Sequence, residues 1–137
     1  YPNQNKLIID AGTCITYDFV NAENQYLGGA ISPGIKIRYK SLNNYTSKLP
    51  LLTLSEDFEI IGNSTKSAIH SGVINGVIFE IEGFISQYSL KNQDLTIILT
   101  GGDAEFLAKR LKSTIFANSN FLLESLNLLS LYTQKND

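Results

Sequence analysis

The sequence predicts an α/β fold in which a three-stranded antiparallel meander precedes alternating helices and strands. Two observations predict this fold: apolar residues alternate with a period of two near the N-terminus, and they then recur at helical spacing. The chain has 137 residues, of which 43% are hydrophobic and 18% are charged. This length and composition are typical of one globular domain, and we expect residues 1–137 to form a single domain.

The meander is predicted from three short segments joined by tight connections. Residues 6–10 form an isoleucine-rich apolar run, which is typical of a buried strand. Residues 14–20 alternate and place Ile15, Tyr17 and Phe19 on one face. Residues 26–31 form the third strand after a polar turn. Strands connected so tightly pair in antiparallel fashion.

The helical part begins after Ser32-Pro33-Gly34, where the spacing predicts a helix to about Leu42. Residues 43–58 are irregular. Asn63-Ser64-Thr65 offers an N-cap for a long helix to about Leu90. The predicted buried stripe of this helix comprises Ile69, Val73, Val77, Ile81 and either Phe84 or Ile85. Its glycines suggest that another backbone packs closely there, and a partner subunit could supply it; they are Gly72, Gly76 and Gly83.

The C-terminal part alternates between strand and helix. We predict a buried strand over 95–99, a helix capped by Asp103 through about Leu111, a strand over 114–117 and an amphipathic helix over 121–132. A meander followed by such an alternation is the layout of a ribonuclease-H-like or actin-like half-domain. A doubly wound dinucleotide-binding sheet would instead begin with strand, helix and strand.

Composition excludes several classes of function. The net charge of −2, with basic and acidic residues evenly spread, gives no electrostatic footprint for nucleic acid or an anionic membrane. One cysteine excludes an internal disulfide framework, and we expect Cys14 to be a small packed side chain. No apolar run approaches about 20 residues, and no signal peptide is visible, so we expect a cytoplasmic protein. His70, the only histidine, lacks a neighbouring nucleophile and is expected to be structural.

The chain contains no methionine, so Tyr1 does not correspond to a translation start. The first residues form a turn, and a core strand follows at once. Loss of a short tag and loss of a whole domain would both explain this. We expect that the chain was cut from a longer protein.

The first candidate site is the turn Asp10-Ala11-Gly12-Thr13, which follows the first buried strand. Ligands commonly bind at the carboxyl ends of sheet strands. Gly12 would allow close approach of a phosphate, Thr13 would add a hydroxyl group, and the Asp10 carboxylate could hold a cation. An Asx turn that merely closes a hairpin explains the same residues equally well.

The second candidate site is Thr100-Gly101-Gly102-Asp103, a glycine pair between a strand and a helix. An ordinary turn with Asp103 as N-cap is the simpler explanation when this turn is taken alone. Both turns follow buried strands, so they could face one cleft. A divalent-metal nuclease would need several clustered acidic groups, whereas only Asp10 and Asp18 qualify.

Five segments together resemble type III pantothenate kinase, in the order found in that family. They read LIIDAGTCITYDFV, GGAISPGIKIRYKSLNNYTSKLP, GNSTKSAIHSGVINGVIFEIEGF, ILTGGDAEFLAKRL and ANSNFLLESLN. The similarity extends from Lys6 to about Asn127, and it is greatest to enzymes of the Bacteroidetes type. The family overlaps with proteins called Bvg accessory factors.

The resemblance implies ATP-dependent phosphorylation of pantothenate to 4'-phosphopantothenate, the first step of coenzyme A synthesis. It implies a fold of the actin, Hsp70 and acetate-and-sugar-kinase superfamily, a homodimer, ATP with Mg²⁺, and a monovalent cation, either K⁺ or NH₄⁺. By the same resemblance Asp10 matches the cation ligand and Thr13 the ATP-phosphate contact. Thr65 matches a pantothenate contact, and Gly101 and Gly102 match the adenosine-side turn.

Two motifs of the family are absent from this chain. They are the Asp-x-Gly-Asn-Thr phosphate turn and the Gly-x-Asp-Arg motif, whose aspartate is the general base. The resemblance therefore implies the C-terminal half of such a kinase, with its catalytic base encoded upstream of Tyr1, and we expect this half alone to be inactive. The alternative is a non-catalytic actin-like module that dimerises or regulates.

Overall fold

The computed structural model describes residues 1–136, which form a mixed α/β fold around one five-stranded sheet. The strand order is β3-β2-β1-β4-β5. Strands β1, β2 and β3 are antiparallel neighbours, whereas β4 is parallel to β1 and β5 is parallel to β4. The strands are β1 (Lys6–Ala11), β2 (Cys14–Val20), β3 (Tyr26–Pro33), β4 (Thr96–Thr100) and β5 (Phe116–Ala117).

The helices follow the meander and then alternate with strands. They are α1 (Ile35–Asn44), α2 (Thr65–His70), α3 (Gly76–Lys91), α4 (Ala104–Ala108) and α5 (Phe121–Asn136). A π-helical turn, Ser71–Asn75, joins α2 to α3, so the helical segment runs without interruption over Thr65–Lys91. The predicted order of elements is confirmed.

The hydrophobic core lies between the sheet and helices α1 to α4, because alternate strand residues and one stripe of each helix are apolar. From the strands it takes Leu7, Ile9, Ala11, Ile15, Tyr17, Ile97 and Leu99. From the helical segments it takes Ile35, Tyr39, Ile69, Val73, Val77, Ile81, Ile85, Ala104 and Leu107. The stripe predicted for the long helix is confirmed, with Ile85 fully buried and Phe84 partly so. Phe84 stacks on Tyr17 at a centroid distance of 4.1 Å.

Three local predictions differ from the structure. Helix α4 ends at Ala108 rather than near Leu111, and β5 has only two residues. Cys14 is exposed rather than packed. Its exposure follows from the alternation in β2, since Ile15 begins the buried set and Cys14 falls on the opposite face.

The helical segment Thr65–Lys91 has 27 residues and, over an 18-residue window, a mean hydropathy of 1.3. Within the described residues it is the one helix long and apolar enough to cross a membrane by these two measures. The segment is not a continuous apolar run, because Lys66, Glu80 and Glu82 interrupt it, so it does not contradict the prediction that no such run approaches about 20 residues. Of that window, 44% is buried inside the protein, as is typical of a core helix.

The glycines of this segment face outward. Apart from the adjacent residues and the backbone of the same helix, no described atom of the chain lies within 4 Å of the position that a Cβ would take at Gly72, Gly76 or Gly83. The close packing predicted from these glycines is therefore not made by the described part of this chain.

Candidate functional site

The two glycine-containing turns meet at one edge of the sheet. Strands β1 and β4 are parallel neighbours in which Asp10 pairs with Thr100, so their following turns emerge side by side. The Asp103 amide donates a hydrogen bond to the Ala11 carbonyl at 2.9 Å. The expectation that both turns could face one cleft is met at this edge.

Gly101 is the residue that allows the two turns to come so close. Its φ is +98°, in the region where L side chains are disfavoured. A Cβ at this position would lie 2.5 Å from both Asp10 Oδ1 and the Ala11 carbonyl oxygen. A glycine is therefore required here by backbone conformation and by space.

Asp10 is half-buried and lines a cavity of about 310 Å³ with the second turn and the beginning of α5. The lining residues are Asp10, Thr100, Gly101, Gly102, Glu105, Ser119, Leu122 and Leu123. Asp10 Oδ1 and the Ala11 carbonyl oxygen both lie beside Gly101, and the Ala11 oxygen also accepts a hydrogen bond from the Asp103 amide. Both are hard oxygen donors, the kind that alkali and alkaline-earth cations prefer.

Thr13 lies on the other side of the same turn and is exposed. With Gly12 it lines a second cavity of about 380 Å³. The remaining walls come from α1, residues 51–54 and the second turn; they are Ile35, Lys36, Tyr39, Lys40, Leu51, Leu52, Thr53, Leu54 and Asp103. The cavity thus combines an apolar floor with two lysines and a threonine hydroxyl.

The backbone of the first turn is held from two directions. The Gly12 amide donates to the Cys14 carbonyl at 2.9 Å, and the Gly34 amide donates to the Thr13 carbonyl at 3.0 Å. A Cβ at Gly34 would overlap the Gly12 carbonyl oxygen, so this contact requires a glycine. Asp10 therefore belongs to a braced turn rather than to a free hairpin end.

Asp103 was predicted to cap α4, but its side chain makes no capping hydrogen bond. It lines the second cavity instead. Burial raises the pKa of the Asp103 carboxyl above its ordinary value, and the charge of Lys36 partly opposes this rise. The capping prediction is wrong because the turn aims this carboxylate at the cavity.

Lys36 and Lys40 were not singled out from the sequence. They lie four residues apart on α1, one turn after Gly34, and so share one helix face. Their spacing next to the buried Ile35 and Tyr39 was a usable signal, because it turns two cations toward the edge of the core.

Thr65 lies apart from both cavities at the first position of α2, and its side chain is exposed. The preceding Ser64 caps the helix: its hydroxyl accepts from the Ser67 amide at 3.1 Å, and Ser67 Oγ accepts from the Ser64 amide at 3.0 Å. The structure brings Asp10, Thr13, Gly101 and Gly102 together, but it does not bring Thr65 to them.

His70 is buried, and its Nδ1 lies 2.7 Å from the Tyr39 hydroxyl. Burial raises the pKa of Tyr39 to about 12. The pair joins α1 to α2 beneath the second cavity. His70 has the packing and the buried hydrogen-bond partner expected of a structural residue.

In the described part of the chain, no group of three or more His, Cys, Asp or Glu side chains could hold a metal ion. Asp18 accepts hydrogen bonds from Thr16 and Tyr26, at 3.1 and 2.9 Å, rather than joining Asp10. The arrangement therefore offers no divalent-metal cluster of the kind a nuclease needs. A larger cavity of about 650 Å³ lies elsewhere, along α3.

Comparison with known proteins identifies close relatives. The family model of type III pantothenate kinase matches residues 1–87. A protein of that name from Flavobacterium johnsoniae is 63% identical over 137 residues, which make up 100% of this chain and 56% of the relative. Another, from Flavobacterium psychrophilum, is 65% identical over 132 residues, or 96% of this chain and 55% of the relative. The chain spans about half the length of the curated relatives it matches.

A solved structure of a Baf-family protein from Campylobacter jejuni has a similar fold. Its TM-score is 0.69, and the match covers 96% of this chain and 60% of that one. Sequence identity is 23%, so this likeness concerns the fold alone. The family model matches more than half of the sequence, and relatives from Flavobacterium match nearly all of it. The chain belongs to the type III pantothenate kinase family.

Proposed function

We propose that the full-length protein transfers the γ-phosphoryl group of ATP to pantothenate, the first step of coenzyme A biosynthesis. The observation that carries this proposal is the meeting of the two turns at the ends of β1 and β4, in a chain of this family. Phosphoryl transfer depends mainly on positioning and on neutralising phosphate charge. A braced threonine, a carboxylate and nearby lysines suit that task.

Each turn has a proposed role. Thr13 contacts the ATP phosphates with its hydroxyl and amide, and Gly101 with Gly102 forms the adenosine side. The position of Lys36 and Lys40 around the cavity of Thr13 supports this assignment, since both carry positive charge. Thr65 contacts pantothenate; its distance from both cavities means that this contact would need groups from outside the described chain.

Asp10 is the proposed ligand of a monovalent cation, K⁺ or NH₄⁺. Its carboxylate lies beside the Ala11 carbonyl at the Gly101 turn, and oxygen atoms of this kind are the donors that such an ion prefers. Mg²⁺ would arrive with ATP, because Mg²⁺ usually keeps several waters and binds through phosphates and one or two carboxylates. Such ions offset the phosphate charge.

At the level of the fold, we propose a ribonuclease-H-like half-domain of the actin, Hsp70 and acetate-and-sugar-kinase superfamily. The strand order β3-β2-β1-β4-β5, with a meander and two parallel additions, supports it. Residues 1–137 would be the C-terminal domain, and the catalytic base would belong to the other half. The isolated chain would then lack useful kinase activity.

We further propose a cytoplasmic homodimer. The open space at Gly72, Gly76 and Gly83 and the exposed ring of Phe79 beside them support an interface on this helix. These same features favour the second candidate function, a non-catalytic dimerising or regulatory module. The two candidates differ in whether Asp10 and Thr13 matter for turnover.

The test uses the full-length protein, ATP and pantothenate, with 4'-phosphopantothenate as the measured product. We expect turnover that requires K⁺ or NH₄⁺, and we expect Asp10→Asn to reduce it at least about 100-fold while leaving the fold intact. Asp18→Asn is the matched control, because the Asp18 carboxylate accepts hydrogen bonds from Thr16 and Tyr26 and lines neither cavity. No product from the wild-type protein would reject the kinase and favour the dimerising module. Unchanged K⁺ dependence in Asp10→Asn would remove Asp10 from the cation site.

A further inference from the structure

Glu80 of α3 accepts hydrogen bonds from three other structural elements through one carboxylate. The proposed reaction does not use this carboxylate. Its Oε1 accepts hydrogen bonds from the Tyr17 hydroxyl at 2.8 Å and from the Ser32 hydroxyl. Its Oε2 accepts from Arg38 Nη2 in an ion pair whose side chains are only 22% and 23% exposed. The three donors lie on β2, β3 and α1. Glu80 therefore connects α3 to three elements that surround the first turn.

The Glu80 carboxyl is held in its charged form. Partial burial opposes ionisation, but hydrogen bonds from Ser32, Arg38 and Tyr17 outweigh it and lower the pKa of Glu80. Burial first, and the hydrogen bond to Glu80 second, raise the pKa of the Tyr17 hydroxyl, which therefore stays a donor. Hydrogen bonds to an ionised carboxylate are roughly twice as strong as neutral ones. The charges of Glu80 and Arg38 thus balance, and the hydrogen bonds of this cluster hold the four elements firmly together.

A short series of contacts connects this cluster to Thr13. Arg38 also donates from Nε to the Pro33 carbonyl at 2.9 Å, so it holds the segment that Ser32 begins. The next residue, Gly34, donates its amide to the Thr13 carbonyl at 3.0 Å. Gly34 has no room for a Cβ against the carbonyls of Gly12 and Thr13. A shift of residues 32–34 is therefore transmitted to the first turn.

We propose that Glu80 is a positioning residue for the phosphate-binding turn, acting through Arg38 and the segment 32–34 on Thr13. This inference rests on the proposed function, since it assigns to Glu80 the task of holding Thr13 where ATP phosphates would bind. A displacement of about 1 Å in such a contact weakens binding and catalysis considerably. Glu80 itself lines neither cavity of the site.

The experiment compares Glu80→Gln with Glu82→Gln in the full-length protein. Glutamine keeps the size of the side chain but loses the charge that holds Arg38. Glu82 lies on the same helix, and its carboxylate accepts hydrogen bonds from the backbone and hydroxyl of Ser113 and from the Lys112 amide, away from the site. The dissociation constant of MgATP is measured by calorimetry, beside the melting temperature of each variant and its turnover of pantothenate.

We expect Glu80→Gln to weaken MgATP binding about three- to thirty-fold, and Glu82→Gln less than about two-fold, even where both lower the melting temperature. Arg38→Lys should give an intermediate loss, since lysine keeps the charge but cannot also donate to Pro33. It provides the test if Glu80→Gln does not fold. Unchanged MgATP affinity in Glu80→Gln, or in Arg38→Lys where that variant is used instead, would overturn the proposal. Equal weakening in Glu82→Gln would do so too.

The experiment distinguishes failure of the proposed function from failure of the role proposed for Glu80. A wild-type protein that binds MgATP but does not phosphorylate pantothenate would reject the proposed function, and the affinity comparison would still decide the role of Glu80. A wild-type protein that phosphorylates pantothenate, with variants of unchanged affinity, would reject only the role of Glu80. A wild-type protein that binds no MgATP rejects both.

Discussion

At the scale of single residues, Gly101 combines two constraints, a positive φ and a lack of space for a side chain. Alanine there would face both a positive φ and a Cβ 2.5 Å from Asp10 Oδ1 and the Ala11 carbonyl. We expect Gly101→Ala to lower the free energy of unfolding by at least about 1–2 kcal/mol, measured by urea denaturation. The neighbouring Gly102 has neither constraint, so Gly102→Ala is the matched control. Equal stability of both variants would contradict the geometry of the turn.

Asp103 allows a prediction about pH. Burial raises its pKa, so its contribution to stability is present at acid pH and is lost as pH rises through the pKa of the folded state. We expect Asp103→Asn to gain stability relative to wild type between acid and neutral pH, by less than about 1 kcal/mol because the group is partly exposed. Glu105→Gln, on the exposed face of α4, should show no such gain. A gain that is the same at both pH values would rule out titration of Asp103 as its cause.

Sequence reasoning found those residues of the candidate site whose local sequence is distinctive by itself. Asp10, Thr13 and Gly101 stand directly after buried strands, and strand ends are where ligands commonly bind. It misjudged Asp103, because a cap and a cavity-facing carboxylate have the same local sequence. The bracing of Thr13 by Gly34 and Arg38 depends on contacts between distant segments, so no short pattern contains it.

At the scale of elements, one side chain of the C-terminal part, Arg110, helps to hold the long loop between α1 and α2, beside hydrogen bonds such as that from Ser71 to the Ile60 carbonyl. Arg110 forms an ion pair with Glu56 and lies over the rings of Phe106 and Phe58, at 3.6 and 5.6 Å from their centroids. Residues 51–54 of this loop form a wall of the cavity beside Thr13. Arg110 therefore holds residues 56 and 58, which follow this wall closely in the chain.

We expect Arg110→Ala to speed amide hydrogen exchange in residues 51–60, because the ion pair and both ring contacts are lost together. Each such contact contributes about 0.5–2 kcal/mol. Lys109→Ala is the control, because Lys109 pairs with the exposed Glu105 of its own helical turn, at 3.4 Å, and not with the loop. Exchange in the loop that is equally slow in both variants would contradict the role of Arg110.

Whole elements were predicted well where the apolar residues kept one spacing along the whole segment. The strands of the meander and the segment from Thr65 to Lys91 were found because each shows a clear apolar pattern. Helix α4 and strand β5 were predicted too long, since their ends are decided by tertiary contacts such as the hydrogen bonds of Glu82 to residues 112 and 113. The fixed conformation of the loop between α1 and α2 could not be predicted, because Arg110 lies 54 residues from its partner Glu56 in the sequence.

At the scale of the whole molecule, α5 leaves much apolar surface uncovered. Its exposed large side chains are Leu122, Leu123, Leu126, Leu128, Leu129, Leu131 and Tyr132. Monomeric soluble proteins rarely expose patches larger than a few hundred Å². We expect the isolated chain to bind a hydrophobic dye more strongly than the full-length protein does, and to show no kinase turnover. Equal dye binding, or turnover at an ordinary kinase rate by the isolated chain, would contradict this expectation.

The π-helical turn Ser71–Asn75 helps to keep the apolar residues of the long helix on the side that faces the sheet. Five buried residues of this helix are spaced four apart: Ile69, Val73, Val77, Ile81 and Ile85. In a regular α-helix each step of four overshoots a full turn by about 40°, so such a row winds gradually away from the sheet. A wider turn takes back part of that rotation. Because the wider turn accommodates one extra residue, deleting one residue within it should leave Thr65 and His70 facing as they do now, whereas the same deletion inside α3 would rotate the preceding part of the helix by about 100°.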